Sequence, residues 1–359
     1  MSEDAARPVV DDDAADLDWC HDAVRGVSRT FALTVDVLDE PMSSYVCLGY
    51  LVCRVADTVE DAEHVPPAEQ AALLETYDAV LDPEDPTTAA EFRRTVDEWL
   101  PPESERSDDW AVVAQTERVV ATFDALPADV RAAVVPPARE LVSGMAEFVR
   151  RYADEGGLRI DDRAELDEYC YYAAGTVGNL VTNLLTRGNL SEERVETLYD
   201  TAEEFGLLLQ LVNVAKDVHD DFTEENNVYL PATWLADEGV PQDEVIASQN
   251  RTAVGRVVDR TASYAQTFLD DAQTYLEHVP IVDGNTLEAW AVPFLLAVGT
   301  LRELSTTPER AVDGRGVKVS REEVFAVVAA ASERDRDSLP ALREAIAAEP
   351  LHGAGLSAD

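Results

Sequence analysis

The chain has 359 residues, with 72 Asp+Glu against 28 Lys+Arg, a formal net charge of −44 and a pI near 4.2. A surface so acidic repels nucleic acid and anionic membranes, which excludes both as binding partners. Yet 46% of the residues are hydrophobic and fall in periodic runs, so the chain is not an acidic disordered protein but a folded one.

Residues 1–15 are small and acidic and read as a disordered tail. The N-terminus lacks a basic stretch followed by an apolar core, so no signal peptide is expected. From 16 to 345 helical periodicity dominates, without strand-like alternation or hairpin turns, and 346–359 reads as a flexible tail. The expectation is one large all-α domain of roughly ten to thirteen helices around a central cavity. Breaks are expected at Pro66-Pro67, Pro101-Pro102, Pro136-Pro137, Gly156-Gly157, Gly188-Asn189, Asn226-Asn227 and Asp313-Gly314, among others. No uncharged apolar run of about 18 residues exists, so nothing is expected to span a membrane and the chain reads as cytoplasmic. Four cysteines without a CxxC spacing and five scattered histidines argue against a structural zinc site and a disulfide framework.

In chain order, Ser28-Arg29-Thr30-Phe31 follows Gly26 at a predicted helix start, where hydroxyls, an arginine and free N–H groups suit an anion or simply cap the helix. The apolar run Tyr45–Cys53 leads into Asp57-Thr58-Val59-Glu60-Asp61. Tyr50, Arg54, Asp57 and Asp61 then share one helical face, with Arg54 free to bind an anion or to pair with Asp57. Residues 75–125 read as low-complexity surface hairpins. Tyr169–Gly178 passes from aromatic to small residues, and Ala174, Gly175 and Gly178 either let helices approach closely or leave room for a long apolar ligand. Ser191-Glu-Glu-Arg and Ser320-Arg-Glu-Glu read as capping boxes. The apolar run Phe205–Ala215 carries Gln210 and Asn213, two amides that need partners if buried, and leads into Asp217-Val218-His219-Asp220-Asp221 on the same helix.

The two acidic triplets, at i, i+3 and i+4, lie 160 residues apart. In so acidic a chain such a triplet arises by chance roughly three times, and Asp221, Glu224 and Glu225 form a decoy. The first two stand out because each ends a buried apolar helix, where solvated surface charge is not usually found. Facing one another, they could hold Mg²⁺, or Mn²⁺ in its place, and through it a diphosphate. The basic residues are nearly all arginine, which reads as adaptation to molar salt. The two lysines, Lys216 and Lys318, are therefore candidates for phosphate binding. A diphosphate that leaves an allylic carbon generates a carbocation, which needs a dry, aromatic-lined space beside the metal cluster.

These residues resemble the squalene/phytoene synthases, the head-to-head prenyl transferases, over roughly residues 16–330. The resemblance is carried by Ser28-Arg-Thr-Phe31, Tyr50…Arg54…Asp57-Thr-Val-Glu-Asp61, Tyr169-Cys-Tyr-Tyr-Ala-Ala-Gly175, Gln210…Asn213…Asp217…Asp221 and Tyr229-Leu-Pro231. It implies the isoprenoid-synthase helical fold, with metal held by Asp57, Glu60 and Asp61 and by Asp217 and Asp221, Asp220 being the weaker candidate. It implies diphosphate binding by Ser28, Arg29, Arg54, Gln210, Asn213 and Lys216, and catalytic roles for Tyr169, Arg54 and Tyr50. Tyr169 would act near the first-step proton transfer or cation.

Within the family, Asp57-Thr-Val-Glu-Asp61, Ala291-Val-Pro293 and Gly316-Val-Lys-Val319 look like squalene synthases, in which the last region helps bind NADPH; Lys318 and Arg321 would serve it here. Tyr172–Gly178 and Asn227-Val-Tyr-Leu-Pro231 look equally like phytoene synthases. Two positions depart from the family pattern, since it has arginine at Lys216 and at Asn227. The expectation is a monomeric squalene synthase acting on farnesyl diphosphate, its apolar product favouring loose peripheral contact with a membrane. Phytoene or dehydrosqualene synthesis without reductant is the alternative, and a terpene cyclase or a noncatalytic acidic protein are the readings from other classes.

Overall fold

Helix breaks in this chain are finer than proline and glycine alone dictate. In the computed structural model, which describes residues 12–282, 285–332 and 336–352 without the side chains of 12–15 and Arg29, there are eighteen α-helices and no strand. The excess over ten to thirteen comes partly from breaks that carry no turn residue. Gln115 (φ −107°, ψ 22°) separates Asp108–Ala114 from Thr116–Asp124, and Asp217 (φ −104°, ψ 10°) separates Glu192–Lys216 from Val218–Glu224. Conversely, Pro136 and Pro137 do not end a helix. They lie inside Ala128–Arg151, which packs along its length on Pro67–Leu81, Met42–Glu60 and Thr176–Leu185. Tertiary packing there outweighs the local cost of proline.

The expected hairpins at 75–125 are helices: the end of Pro67–Leu81, then Ala89–Val96, Asp108–Ala114 and Thr116–Asp124. Phe92, Val96, Val113, Val119 and Phe123 are buried, which is enough apolar periodicity to dock short helices despite the charged composition. The first helix begins at Asp12, inside the stretch expected to be a tail; residues 1–11 and 353–359 lie outside the described residues. The capping expectations divide. Ser191 starts its helix without a side-chain cap bond, whereas Ser320 Oγ accepts from the Glu323 N–H at 3.1 Å. Glu323 does not reciprocate, because Arg302 holds its carboxylate.

Helix Glu192–Lys216 is the central strut, packed by Leu269–His278, Thr176–Leu185, Arg251–Ala265 and Thr286–Thr306. Its contact with Thr176–Leu185 runs backbone to backbone. A Cβ on Gly178 would lie 2.2 Å from the Ala202 carbonyl oxygen, and one on Gly206 would lie 2.3 Å from that of Ala174. Of the two roles open to the small residues, close helix approach is the one Gly178 fills. A π-helical turn, Tyr171–Gly175, joins Arg163–Cys170 to Thr176–Leu185. Such a turn re-aims the tyrosines ahead of it relative to a continuous α-helix.

Candidate active site

Helix Met42–Glu60 is buried along nearly its whole length, which fixes the direction of its last two turns. Tyr50, Arg54 and Asp57 follow one another on a half-buried face, and Asp61 caps the helix, its N–H donating to the Asp57 carbonyl at 2.9 Å. The Tyr50 ring stacks on Phe31, with centroids 4.1 Å apart, and Ser28 caps the Phe31 helix through a 3.2 Å bond to the Phe31 N–H. Arg54 is 3.8 Å from Asp57, but its shorter bonds go to Asp109, at 2.8 Å from Nε and 2.7 Å from Nη2. Asp109 stands in the first turn of Asp108–Ala114, a helix start fixed by Ser107 capping Trp110. Residues 108–114 fall in the stretch that reads as surface hairpins, so Asp109 is a site residue that the sequence reading missed.

The second acidic segment is not one helix. The chain breaks at Asp217, which ends one helix and starts the next. The break has an electrostatic reason. It leaves Lys216 in the last turn of the first helix and puts Asp220 and Asp221 in the first turn of the second, each at the end of the helix dipole that favours its charge. Lys216 is ion-paired with its neighbour Asp217. The next turn ends at Glu225, and Asn226 adopts a left-handed φ of 57°, which folds the chain back. Glu225, one helical turn beyond Asp221 on the same face, joins the cluster although its triplet had the spacing of a decoy.

The fold therefore brings the two motifs together. Asp221 is pushed up to about 9 by burial and by the charges of Glu225, Asp217 and Asp61. Burial also lifts Asp57 to about 7, with Arg54 opposing and Asp61 adding to the rise. Glu225 is raised to about 8 by burial and by Asp61. Burial and Asp61 hold Glu60 well above the usual carboxylate range, and Asp61 itself is raised by burial.

Tyr169 forms the wall beside this cluster. It is buried, stacked on Tyr229 with centroids 4.7 Å apart, and donates a 3.1 Å hydrogen bond to the Tyr229 hydroxyl. That hydroxyl also accepts from Asn227 Nδ2 at 3.0 Å, while Asn227 Oδ1 accepts from the Leu158 N–H at 2.8 Å. Asn227 thus serves as a buried bracket between two segments. The guanidinium closest to this turn comes from Arg159, which is bound to the Asn226 carbonyl and donates to Asn226 Oδ1 at 2.9 Å.

The donor set suits a hard divalent cation. It consists of carboxylates on two elements, raised by burial and mutual repulsion, and Glu60 Oε1 is buried without any hydrogen-bond partner. Among the described residues no three His, Cys, Asp or Glu side chains converge on one point as they stand, so the carboxylates would have to close around an ion. A small pocket of about 30 Å³ opens between Glu60, Glu225 and the turn at 156–158.

The squalene/phytoene synthase family model matches residues 24–323. The chain belongs to the squalene/phytoene synthase family. It is 26% identical to the squalene synthase of Bos taurus over 302 residues, which is 82% of this chain and 65% of the bovine protein. The structure of TcSQS with a bound ligand superposes with a TM-score of 0.76 at 21% identity, over 92% of this chain and 90% of that one. A ligand-bound dehydrosqualene synthase gives 0.61 at 21% identity, over 89% and 96%. The chain thus has the isoprenoid-synthase fold of a prenyl-diphosphate-binding family. None of its described helices is long and apolar enough to cross a membrane.

Not every expected family residue gathers at the cluster. Asp220 is exposed and paired with His219 at 3.3 Å. Gln210 is half-buried and Asn213 exposed, and neither side chain bonds to a described residue, so the premise of buried amides needing partners is corrected. The side chain of Arg29 lies outside the described residues. Lys318 is exposed without an ion pair to a described residue, on a loop whose Gly314 lies against His219. Arg321 is exposed, with its guanidinium 5.5 Å from the centre of the Phe325 ring.

Proposed function

We propose that this chain is a squalene synthase. Two farnesyl diphosphates condense head to head to presqualene diphosphate, which is then ionised, rearranged and reduced by NADPH to squalene. What supports the first half is the electrostatic influence of Asp61, in the first acidic segment, on Asp221 and Glu225 beyond the second, in a largely half-buried group of carboxylates beside the Tyr169–Tyr229 pair. Mg²⁺ bound there supplies Lewis-acid neutralisation of the departing diphosphate.

This chain's own residues do the rest. Asp57, Glu60, Asp61, Asp217 and Asp221 hold the cation. Arg54, fixed by Asp109, offers its guanidinium to the diphosphate, as do the half-buried Lys216 and Gln210 and the exposed Asn213. Ser28 and Arg29 stand at the helix start under Tyr50, and the free N–H groups of that turn suit a phosphate oxygen. Tyr169 and Tyr229 exclude water and present aromatic faces to positive charge. Asp220, exposed beside His219, contributes to the rim and not to the cluster.

For the reductive half, Lys318 and Arg321 are exposed cations on one segment, and Arg321 lies over the ring of Phe325, which is 62% exposed. That set suits a ligand with phosphate and a planar ring, and the Lys318 loop reaches the second acidic segment through Gly314. The curated squalene synthase relatives favour the reductive product, whereas the likeness to a dehydrosqualene synthase keeps phytoene and dehydrosqualene as the second reading.

Product analysis tests this. The purified chain in molar KCl with Mg²⁺ and farnesyl diphosphate is expected to give squalene with NADPH and presqualene diphosphate without it. Phytoene from geranylgeranyl diphosphate, indifferent to NADPH, would overturn the assignment within the family.

A further inference from the structure

The pocket behind the cluster has an unusual wall. It is lined by Glu60, Glu63, Gln70, Glu225 and Asn227 and by the turn at Gly156-Gly157, and no Arg, Lys or His lines it. Glu60 is 4% exposed and its Oε1 has no partner. The neighbouring amides are already committed. Gln70 Nε2 donates to the carbonyls of Val59, Glu60 and Ala62 at 3.2, 2.8 and 3.0 Å, fastening the helix end. Asn227 uses its amide for Leu158 and Tyr229, and reaches Glu225 Oε2 only at 3.4 Å.

The backbone turns Glu225 into this same space. Its N–H and that of Asn227 both donate to the Asp221 carbonyl, at 3.3 and 2.9 Å, and the left-handed Asn226 closes the turn. The opposite wall is tightly seated, since a Cβ on Gly157 would lie 2.1 Å from the Asn226 carbonyl oxygen. Three carboxylates thus line a small pocket whose amide donors are spent elsewhere, Glu63 at its exposed edge and Glu60 and Glu225 further in. A buried carboxylate in that setting lacks a counter-charge that the chain does not provide.

We propose that Glu225 and Glu60 bind a divalent cation between them in this pocket, which makes Glu225 a cation ligand outside both acidic triplets. The inference rests on the metal-dependent reading of the cluster and adds a residue and a position to it. The competing arrangement is a proton shared between the two carboxyls, with no ion.

Counting bound Mn²⁺ separates the two. The full chain in molar KCl is titrated with Mn²⁺, free ion being read by electron paramagnetic resonance, alongside Glu225→Gln, Glu225→Asp and the exposed control Glu224→Gln. The expected result is that Glu225→Gln loses one bound Mn²⁺ per chain, or binds it at least about 10-fold more weakly, while Glu224→Gln matches wild type. Should Glu225→Gln fail to fold, the same weakening is expected of Glu225→Asp, which keeps the charge but shortens the arm. Equal Mn²⁺ number and affinity in wild type and the Glu225 variant overturns the role of Glu225 and leaves the cluster reading standing. Absence of Mn²⁺ binding by wild type overturns both.

Discussion

Glu60 and Glu323 are the same residue with almost the same burial, 4% and 2% exposed, and the fold treats them in opposite ways. Glu323 ties the Thr286–Thr306 helix to Arg321–Ala331. Arg302 donates to both of its oxygens at 2.8 Å, and the Leu351 N–H adds a third bond at 3.0 Å. Burial pushes Glu323 up, but these bonds outweigh it and leave the carboxyl below its ordinary range. Glu60 has burial and Asp61 both pushing it up and an oxygen with no partner. Where a buried charge serves the scaffold it is paired, and one left unpaired marks a candidate functional site.

The largest effect that would break this contrast is on turnover. Asp57→Asn and Asp221→Asn are each expected to lower Mg²⁺-dependent diphosphate release by at least about 100-fold, since each removes a carboxylate from the cation cluster. Both variants should remain folded, and above about pH 9, where both carboxyls are ionised, the metal-free form should gain stability because a repelled charge has been removed. Steady-state diphosphate release beside thermal unfolding checks both halves; unchanged release breaks the cluster reading. The mirror experiment is Glu323→Gln, which removes one charged partner of Arg302 and leaves the guanidinium bound to Glu303 and the Ile346 carbonyl. It is expected to destabilise the fold by about 2 kcal/mol in chemical denaturation, the usual value of hydrogen bonds to a charged group.

Next in size is a proton effect. Asp57, Glu225 and Asp221 titrate near 7, 8 and 9 in the folded chain, against ordinary values of 3.8 to 4.5. Below about pH 4 both states hold these protons and the cluster costs nothing. Above it the unfolded chain releases them while the folded chain keeps them, so the cluster's contribution to stability falls until about pH 9 is passed. Metal-free protein should therefore lose stability between pH 5 and about 9, and Mg²⁺ should flatten that slope. Calorimetric titration of Mg²⁺ at pH 7 in two buffers of different ionisation enthalpy should show proton release, reduced in Asp221→Asn. Binding without proton release would show the carboxylates already ionised and the contrast with Glu323 overstated.

How much of this was readable in advance follows a physical line. The acidic triplets were legible because each ends a buried apolar helix, and Ser28 and Tyr169 because local sequence carried them. Asp109 was not, since capping fixes where its helix starts but only docking decides that it meets Arg54. Nor was Glu225, since its triplet looks like one of those that arise by chance, although it stands one turn beyond Asp221 on the same face. Asn213 lies in an apolar run that reads as buried, whereas its own position on the helix is exposed. Motif spacing reports a continuous helix, and the site is built where helices stop.

The smallest effect concerns the uncharged part of the site. The Tyr229 hydroxyl accepts from both Tyr169 and Asn227. Tyr229→Phe keeps the stacked ring but leaves the Tyr169 hydroxyl without its acceptor and Asn227 Nδ2 with only the long contact to Glu225. A loss of about 1 kcal/mol is expected, the usual net value of a neutral hydrogen bond. The same variant probes what holds Tyr169 beside the carboxylates. If the hydroxyl bond orients it, Tyr229→Phe should lower the rate of presqualene diphosphate formation more than it raises the KM for farnesyl diphosphate. If stacking suffices, rate and KM should both stay near wild type while the stability loss remains, which would confine the role of the Asn227 bracket to folding.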